Sequence, residues 1–249
     1  MRWIPFIIFI IIVQWYAFQA IKTITQNKFW WAIYALVVGI ILGGVLWQTL
    51  NFDRTVGWIP IVAYSLGMFV ALLSGQLLMI CLLFLEDLSR GASSLLHFFT
   101  SDQKIHFPQR RKFVSQIAIA LGAIPFSSLL YGMYKGRYNY RVLNYTLEYE
   151  NLPDGFDGFQ ITQISDLHCG SFDNTKKVAY GLDLIDKQKS DLVLFTGDMV
   201  NNKANEARPW VEFIAKIKAP YGKFSVLGNH DYGDYSDWEN EADKKQNME

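Results

Sequence analysis

The sequence predicts a multi-span α-helical membrane region followed by an α/β domain of βαβαβ order, and three observations lead there. Of the 249 residues, 51% are hydrophobic and 16% aromatic, more than an ordinary soluble domain carries. Charge divides the chain: residues 1–134 hold nine Lys/Arg against four Asp/Glu and residues 135–249 hold fourteen against nineteen, so the zero net charge is a basic half cancelling an acidic one. Past Tyr134, long apolar runs give way to short β-branched stretches alternating with amphipathic ones. This places a membrane region with four predicted transmembrane helices at 1–134 and a mildly acidic α/β segment at 135–249.

Four runs, residues 3–21, 29–50, 58–85 and 113–134, are long and apolar enough to span a bilayer, which takes about 20 helical residues. None has an interior Asp, Glu, Lys, Arg or His. Intramembrane ionisable groups mark ion and proton paths, so transport is disfavoured. Trp15, Trp30, Trp47 and Tyr131 sit near the run ends, where amphipathic rings favour the headgroup level. The first run lacks a small-residue cleavage pattern and reads as a retained helix. With the loops 22–28 and 86–112 in the cytoplasm, seven Lys/Arg fall inside and five outside. The stretch "PQRRKFVSQIAIALGAIPF" can be read as a twin-arginine export signal or as a basic anchor. Both readings put Arg110 and Arg111 in the cytoplasm and everything after the fourth run outside. Cys81 and Cys169 lie in different environments and predict no disulfide framework.

The second half reads element by element. "YRVLNYTLEY" (140–149) and "FQITQIS" (159–165) are expected strands; "NTKKVAYGLDLIDKQK" (174–189) is an amphipathic helix opened by the cap residue Asn174. "DLVLFTGD" (191–198) is a strand, "EARPWVEFIAKIKA" (206–219) a helix, "GKFSVLGNHD" (222–231) a strand and "YSDWENEADKKQNME" (235–249) a charged helix. Alternation of this kind builds a sheet with helices packed on it. The basic, aromatic linker "YKGRYNYR" (134–141) suits a lipid surface. No basic stripe marks the soluble half, so nucleic acid is not expected as a partner.

Three of these strands end alike: Asp166-Leu167-His168, Gly197-Asp198 and Gly228-Asn229-His230-Asp231. The steps are even, 32 residues from Asp166 to Asp198 and 31 from Asp198 to Asn229, each one strand–helix–strand unit. The carboxyl edge of an open α/β sheet is where ligands bind. Carboxylates, an imidazole and an amide oxygen are a mixed hard and borderline donor set, suited to manganese, iron or zinc rather than to a calcium cage. Two such ions about 4 Å apart can clamp a phosphate and activate water. A single Asp-x-His or Gly-Asp at a strand end is more often a cap or a turn; three in order at even spacing point to a site.

The constellation resembles the calcineurin-like metallophosphoesterase superfamily, whose blocks D-x-H, G-D and G-N-H-[DE] match Asp166/His168, Gly197/Asp198 and Gly228/Asn229/His230/Asp231. "KGRYNYRV", "LPDGFDGFQITQISDLHCGSFD" and "LVLFTGDMVNN" further resemble its membrane-anchored bacterial branch. The resemblance implies two divalent metal ions, with Asp166 and His168 on one, Asp198 on both and Asn229 on the second. It implies His230 as the catalytic group that contacts the phosphate and protonates the leaving oxygen. The protein-phosphatase branch continues its second block as G-D-x-x-D-R-G; here Asn201 stands where that branch has the carboxylate that orients the histidine, so a phosphoprotein substrate is disfavoured.

The family's fourth and fifth blocks, a lone His and G-H-x-H, have no counterpart here, since the four histidines are His97, His106, His168 and His230 and the first two precede the fourth run. The expected fold is therefore the membrane region followed by the first half of an α/β metallophosphoesterase sandwich, truncated after the third block and weakly active or inactive as it stands. The expected function is a membrane-tethered, metal-dependent phosphoesterase of the bacterial inner membrane. Its soluble domain faces away from the cytoplasm and acts on phosphate esters near the lipid, lipid-linked ones included. The alternative is a non-catalytic membrane protein whose remnant domain binds a partner; coding sequence after Glu249 that supplies G-H-x-H would separate the two.

Overall fold

A computed structural model describes residues 3–53, 59–100 and 108–248. The chain divides into two compact units, Met1–Thr49 with Tyr64–Tyr134, and Leu50–Ala63 with Lys135–Glu249. His106 and the loop cations Arg2, Arg54 and Lys104 lie outside the described residues.

The first unit holds α1 (Ile4–Ile24), α2 (Lys28–Leu50) but for its last residue, α3 (Pro60–Thr100) from Tyr64 onward and α4 (Pro108–Tyr134), all four helices long and apolar enough to cross a membrane. A three-residue turn joins α1 to α2, with the Asn27 side chain accepting from Phe29 N at 2.9 Å as a helix cap. Where lipid replaces water, helices associate through close packing and polar contacts, and both occur here. Ala17, Ala20 and Ala118 pack around Met79 and Leu83. A Cβ on Gly75 would lie 2.6 Å from the Gly122 carbonyl and one on Gly122 would lie 2.7 Å from that of Gly75, so α3 and α4 cross backbone to backbone. Gln14 and Gln76 exchange amide hydrogen bonds of 2.8 and 2.7 Å, and Gln76 also donates to Tyr34 at 2.8 Å, tying α1, α2 and α3 together.

The expected loop 86–112 is mostly helix. Glu86 and Asp87 end the apolar run but not α3; Arg111 of α4 pairs with both, at 2.6 and 2.9 Å, and Arg90 bonds Asp87 at 2.6 Å. Tyr16 of α1 also hydrogen-bonds Asp87. Arg110 bonds the Ser89 hydroxyl at 2.5 Å. Both arginines of the Arg110-Arg111 pair are thus engaged by α3.

The second unit contains β1 (Ile161–Ile164), α5 (Thr175–Asp186), β2 (Leu192–Phe195), α6 (Val211–Ala215), β3 (Lys223–Ser225) and α7 (Glu241–Met248). The strands form one parallel sheet in the order β1-β2-β3, with Ile161 opposite Leu192 and Val193 opposite Lys223, giving the βαβαβ order. Asn174 caps α5 by accepting from Lys177 N at 3.1 Å. Val178 and Leu182 of α5 pack with Val193 of β2 and with Trp210 and Ile217 beside α6. The alternate face of the sheet is open: Ile161 and Phe224 are 53% and 61% exposed.

Four expected elements differ, the first being the charged helix expected over 235–249, which among the described residues forms only at Glu241–Met248. Residues 140–149 form no strand, and Leu143, Tyr145, Leu147 and Tyr149 are exposed; alternation alone makes no strand without a neighbouring ladder. The helix expected over 206–219 is broken into 3₁₀ turns at Ala204–Glu206 and Arg208–Trp210 before the short α6, with Pro209, which lacks an amide donor, at the interruption. The third parallel strand stops at Ser225, so Val226 to Asp231 form a loop.

Candidate metal centre

Each of the three strands leaves the sheet at the same edge, and the backbone there is unusual. Asp166, His168 and Asp198 have φ of 55°, 46° and 59°, the left-handed region, which a non-glycine residue enters at a cost of about 1–2 kcal/mol. Such a step breaks the in-out alternation of a strand and sends the side chain beyond the sheet edge. The exits remain paired. Asp166 N donates to Gly197 O at 3.0 Å, His168 N to Asp198 O at 3.0 Å and Cys169 N to Met199 O at 2.9 Å.

Glycine is required where the β2 and β3 exits meet. A Cβ on Gly197, itself at φ 103°, would stand 2.6 Å from the Gly228 Cα, and one on Gly228 would stand 2.6 Å from Asp198 N. This contact places His230 N on Asp198 Oδ1 at 2.9 Å. One ligand atom each of His168, Asp198 and His230 lie within 4.8 Å of one another. The Asp166 carboxylate joins from the side: His168 Nε2 is 3.9 Å from Asp166 Oδ1 and 3.8 Å from Asp198 Oδ2. Asp166 is open to solvent, whereas Asp198 is buried. Asn229 Nδ2 donates to the Tyr235 hydroxyl at 3.1 Å, which commits its nitrogen and makes the amide oxygen the atom it could offer an ion.

His230 is held on three sides. Its Nδ1 lies 2.8 Å from the Asn201 backbone carbonyl; a carbonyl only accepts, so Nδ1 carries the proton and Nε2 is the basic nitrogen. Asn201 does orient the histidine, through its main chain rather than its amide. The His168 ring meets the His230 ring edge to face at 4.7 Å, and the Tyr235 ring lies 4.7 Å away on a tilt of 35°.

Two groups that the motif reading left without a role carry the scaffold. Buried Asp231 accepts from Asp198 N at 2.7 Å, Gly228 N at 2.9 Å and Val200 N at 3.2 Å, so one carboxylate closes the β2 exit onto the β3 exit. Its place in the G-N-H-[DE] block was the available signal. Tyr235 touches both Asn229 and His230, and nothing in its sequence context announced it. Cys169 is 2% exposed and packed in the α5–α6 core; burial, reinforced by the Glu206 and Asp231 carboxylates, pushes its thiol up to about 12.

Comparison with known proteins places both units. Residues 1–137 match the family model described as "Probable Calcineurin-like phosphoesterase, transmembrane domain", and residues 159–248 match the calcineurin-like phosphoesterase model. The uncharacterized metallophosphoesterase YkuE of Bacillus subtilis is 31% identical over 131 residues, 51% of this chain and 46% of that protein. The transmembrane protein with metallophosphoesterase domain of Danio rerio is 24% identical over 83% of this chain and 45% of its own length. The UDP-2,3-diacylglucosamine pyrophosphatase LpxG of Chlamydia trachomatis is 36% identical over 34% of this chain and 27% of its own. The chain spans less than half the length of these relatives. No solved structure matches. With a transmembrane-domain match covering more than half its length and a phosphoesterase match after it, the chain belongs to the calcineurin-like phosphoesterases that carry an N-terminal transmembrane domain.

Proposed function

We propose that this chain is the membrane-bound, metal-binding part of a phosphoesterase that hydrolyses phosphate esters or pyrophosphates of lipid-linked substrates. The observation that carries the reading is the convergence of His168, Asp198 and His230 ligand atoms within 4.8 Å, with Asp166 at 3.9 Å from His168. The donor set fits manganese, iron or zinc, since two imidazoles and carboxylates combine borderline with hard ligands. Asp166, His168 and Asp198 would hold one ion, and Asp198 with Asn229 a second. When bound, such ions supply Lewis-acid polarisation of phosphoryl oxygens and a lowered pKa for water. His230, protonated on Nδ1 by its bond to Asn201 O, would present Nε2 to the phosphate, take up on it the proton released by the attacking water and pass that proton to the leaving oxygen.

The printed name of the Chlamydia relative, a pyrophosphatase of a diacylated sugar nucleotide, supports a lipid-linked substrate. So does the placement of the phosphoesterase match after four helices long and apolar enough to span a bilayer. We assign the chain to the bacterial inner membrane with its second unit outside the cytoplasm. Activity from a reporter that works only in the cytoplasm, fused after Glu150, would reverse that orientation.

The clustering of His230 with His168 and Asp198 also favours a second reading, a single ion held by both imidazoles and Asp198. Manganese titration of the full chain in detergent tests both readings. We expect binding that Asp198→Asn removes; wild-type and Asp198→Asn chains that bind equally would refute the centre. Nitrogen couplings on the bound manganese then distinguish one imidazole, as in the two-ion reading, from two.

A further inference from the structure

The linker after α4 was expected to lie on lipid, yet three of its side chains, those of Arg137, Tyr138 and Tyr140, are engaged by the 171–173 turn and α5. Arg137 Nη2 donates to the Ser171 carbonyl at 2.9 Å, pairs with Asp173 at 2.9 Å and bonds the Tyr138 hydroxyl at 2.7 Å. Tyr138 hydrogen-bonds Asp173, and its ring lies under Arg137 and Lys177, each 4.7 Å from the centroid. Tyr140 fills the space beside Gly181 of α5, where a Cβ would stand 2.8 Å from its ring.

The loop so gripped begins at a candidate ligand. His168 starts a tight turn in which Ser171 N donates to His168 O at 2.8 Å and Phe172 N to Cys169 O at 3.1 Å. The Asn201 amide reaches Ser171 Oγ at 3.1 Å, and the Asn201 carbonyl holds His230 Nδ1 at 2.8 Å. One turn therefore abuts both imidazoles, the first through the chain and the second through Asn201.

We infer that Arg137 and Tyr138 are positioning residues for the metal centre, a latch from the membrane linker that fixes the 168–173 turn and, through Ser171 and Asn201, the orientation of both histidines. The inference rests on the metal reading above for its consequence, but not for the latch itself. Partners that orient ligands are worth about 10–100-fold in metal affinity. One step further out, Arg137→Ala should weaken manganese binding about tenfold, the low end of that range.

The test uses the full chain in detergent, with two readouts. Without metal, hydrogen exchange at the Ser171 and Phe172 amides should accelerate in Arg137→Ala. With manganese, affinity should fall while helix content and melting stay at wild-type values. Arg137→Lys should recover part of both, because an ammonium still reaches the Ser171 carbonyl and Asp173. Leu182→Ala, which weakens the core that Tyr138 and Phe172 pack against but removes none of the Arg137 bonds, should lower manganese affinity clearly less than Arg137→Ala does. Unchanged exchange in Arg137→Ala overturns the latch; faster exchange with unchanged affinity overturns its role at the centre, as does an equal affinity loss in Leu182→Ala. Should Arg137→Ala fail to fold, Asp173→Asn, which removes the ion pair and keeps an acceptor for Tyr138, decides on the same readouts. A wild-type chain that binds no manganese refutes the proposed function, and exchange alone then decides the latch.

Discussion

Asp231→Ala should open the strand exits before it disturbs the rest of the second unit. The carboxylate accepts from three backbone amides, Asp198 N at 2.7 Å, Gly228 N at 2.9 Å and Val200 N at 3.2 Å, and is 7% exposed. Hydrogen bonds to a charged acceptor contribute about 1.5–3 kcal/mol each, and a buried donor left without a partner costs about 1–3 kcal/mol. Three additive losses would exceed the stability of most domains; water entering the vacated space should satisfy part of them, leaving about 3–5 kcal/mol. At about 1.4 kcal/mol per tenfold, amide exchange at Asp198 and Val200 should accelerate at least ~100-fold. Asp231→Asn, which keeps one accepting oxygen but turns an N–H toward a backbone donor, should fall between. Exchange resolved by fragmentation mass spectrometry on the full chain in detergent is the assay. An Asp231→Ala chain whose Asp198 and Val200 amides exchange within about threefold of wild type would refute the clamp, since three bonds of this kind cannot vanish so quietly.

Asp166→Gly should leave the second unit as stable as wild type or firmer by about 1 kcal/mol, because it relieves a left-handed φ of 55° at a solvent-open side chain, while manganese affinity falls; chemical unfolding and metal titration check the two halves. Cys169 should resist iodoacetamide in the native chain at pH 8, its thiol being buried and pushed up to about 12. Because a raised pKa gives stability that is present below the unfolded value and lost as pH climbs toward the folded one, Cys169→Ala should be less alkali-sensitive than wild type between about pH 9 and 12. In the membrane unit, Gly122→Ala should lower the detergent melting temperature, since its Cβ would stand 2.7 Å from the Gly75 carbonyl; Gly43→Ala, with nothing within 4 Å, should not.

The apolar runs and the strand-end motifs were legible because each is written in residue type. Four helices form where 3–21, 29–50, 58–85 and 113–134 were read, and β1, β2 and β3 all begin inside the expected strands. What escaped depended on partners distant in sequence. α3 runs on to Thr100 past the end of the apolar run, where Arg111 reaches Glu86 and Asp87 across 25 and 24 positions, a contact no local pattern announces. The strand at 140–149 failed for the converse reason: the alternation is present, but no described strand pairs with it. At the centre, the motif named residues but not atoms. It could not say that Asn201 would orient His230 by its carbonyl, nor that Tyr235 would take the Asn229 nitrogen.

The left-handed residues explain why the centre is built from Asp and His where backbone geometry alone would favour glycine. Four described non-glycine residues have positive φ: Asp166, His168, Lys189 and Asp198. Three of the four are candidate ligands, and a glycine at any of them would relax the chain and delete the ligand. Strain of about 1–3 kcal/mol per residue persists only where surrounding contacts over-determine it. Those contacts are visible: the Asp166, His168 and Cys169 amides are paired to the β2 exit, and the Asp198 amide is taken by Asp231. The Arg137 contact with Ser171 holds the turn that follows His168. Ligand geometry and local stability are thus opposed at the β1 and β2 exits, and the groups that reconcile them, Asp231 and Arg137, are not among the candidate ligands. Variation that spares every candidate ligand is therefore expected to dismantle the centre from these two positions all the same.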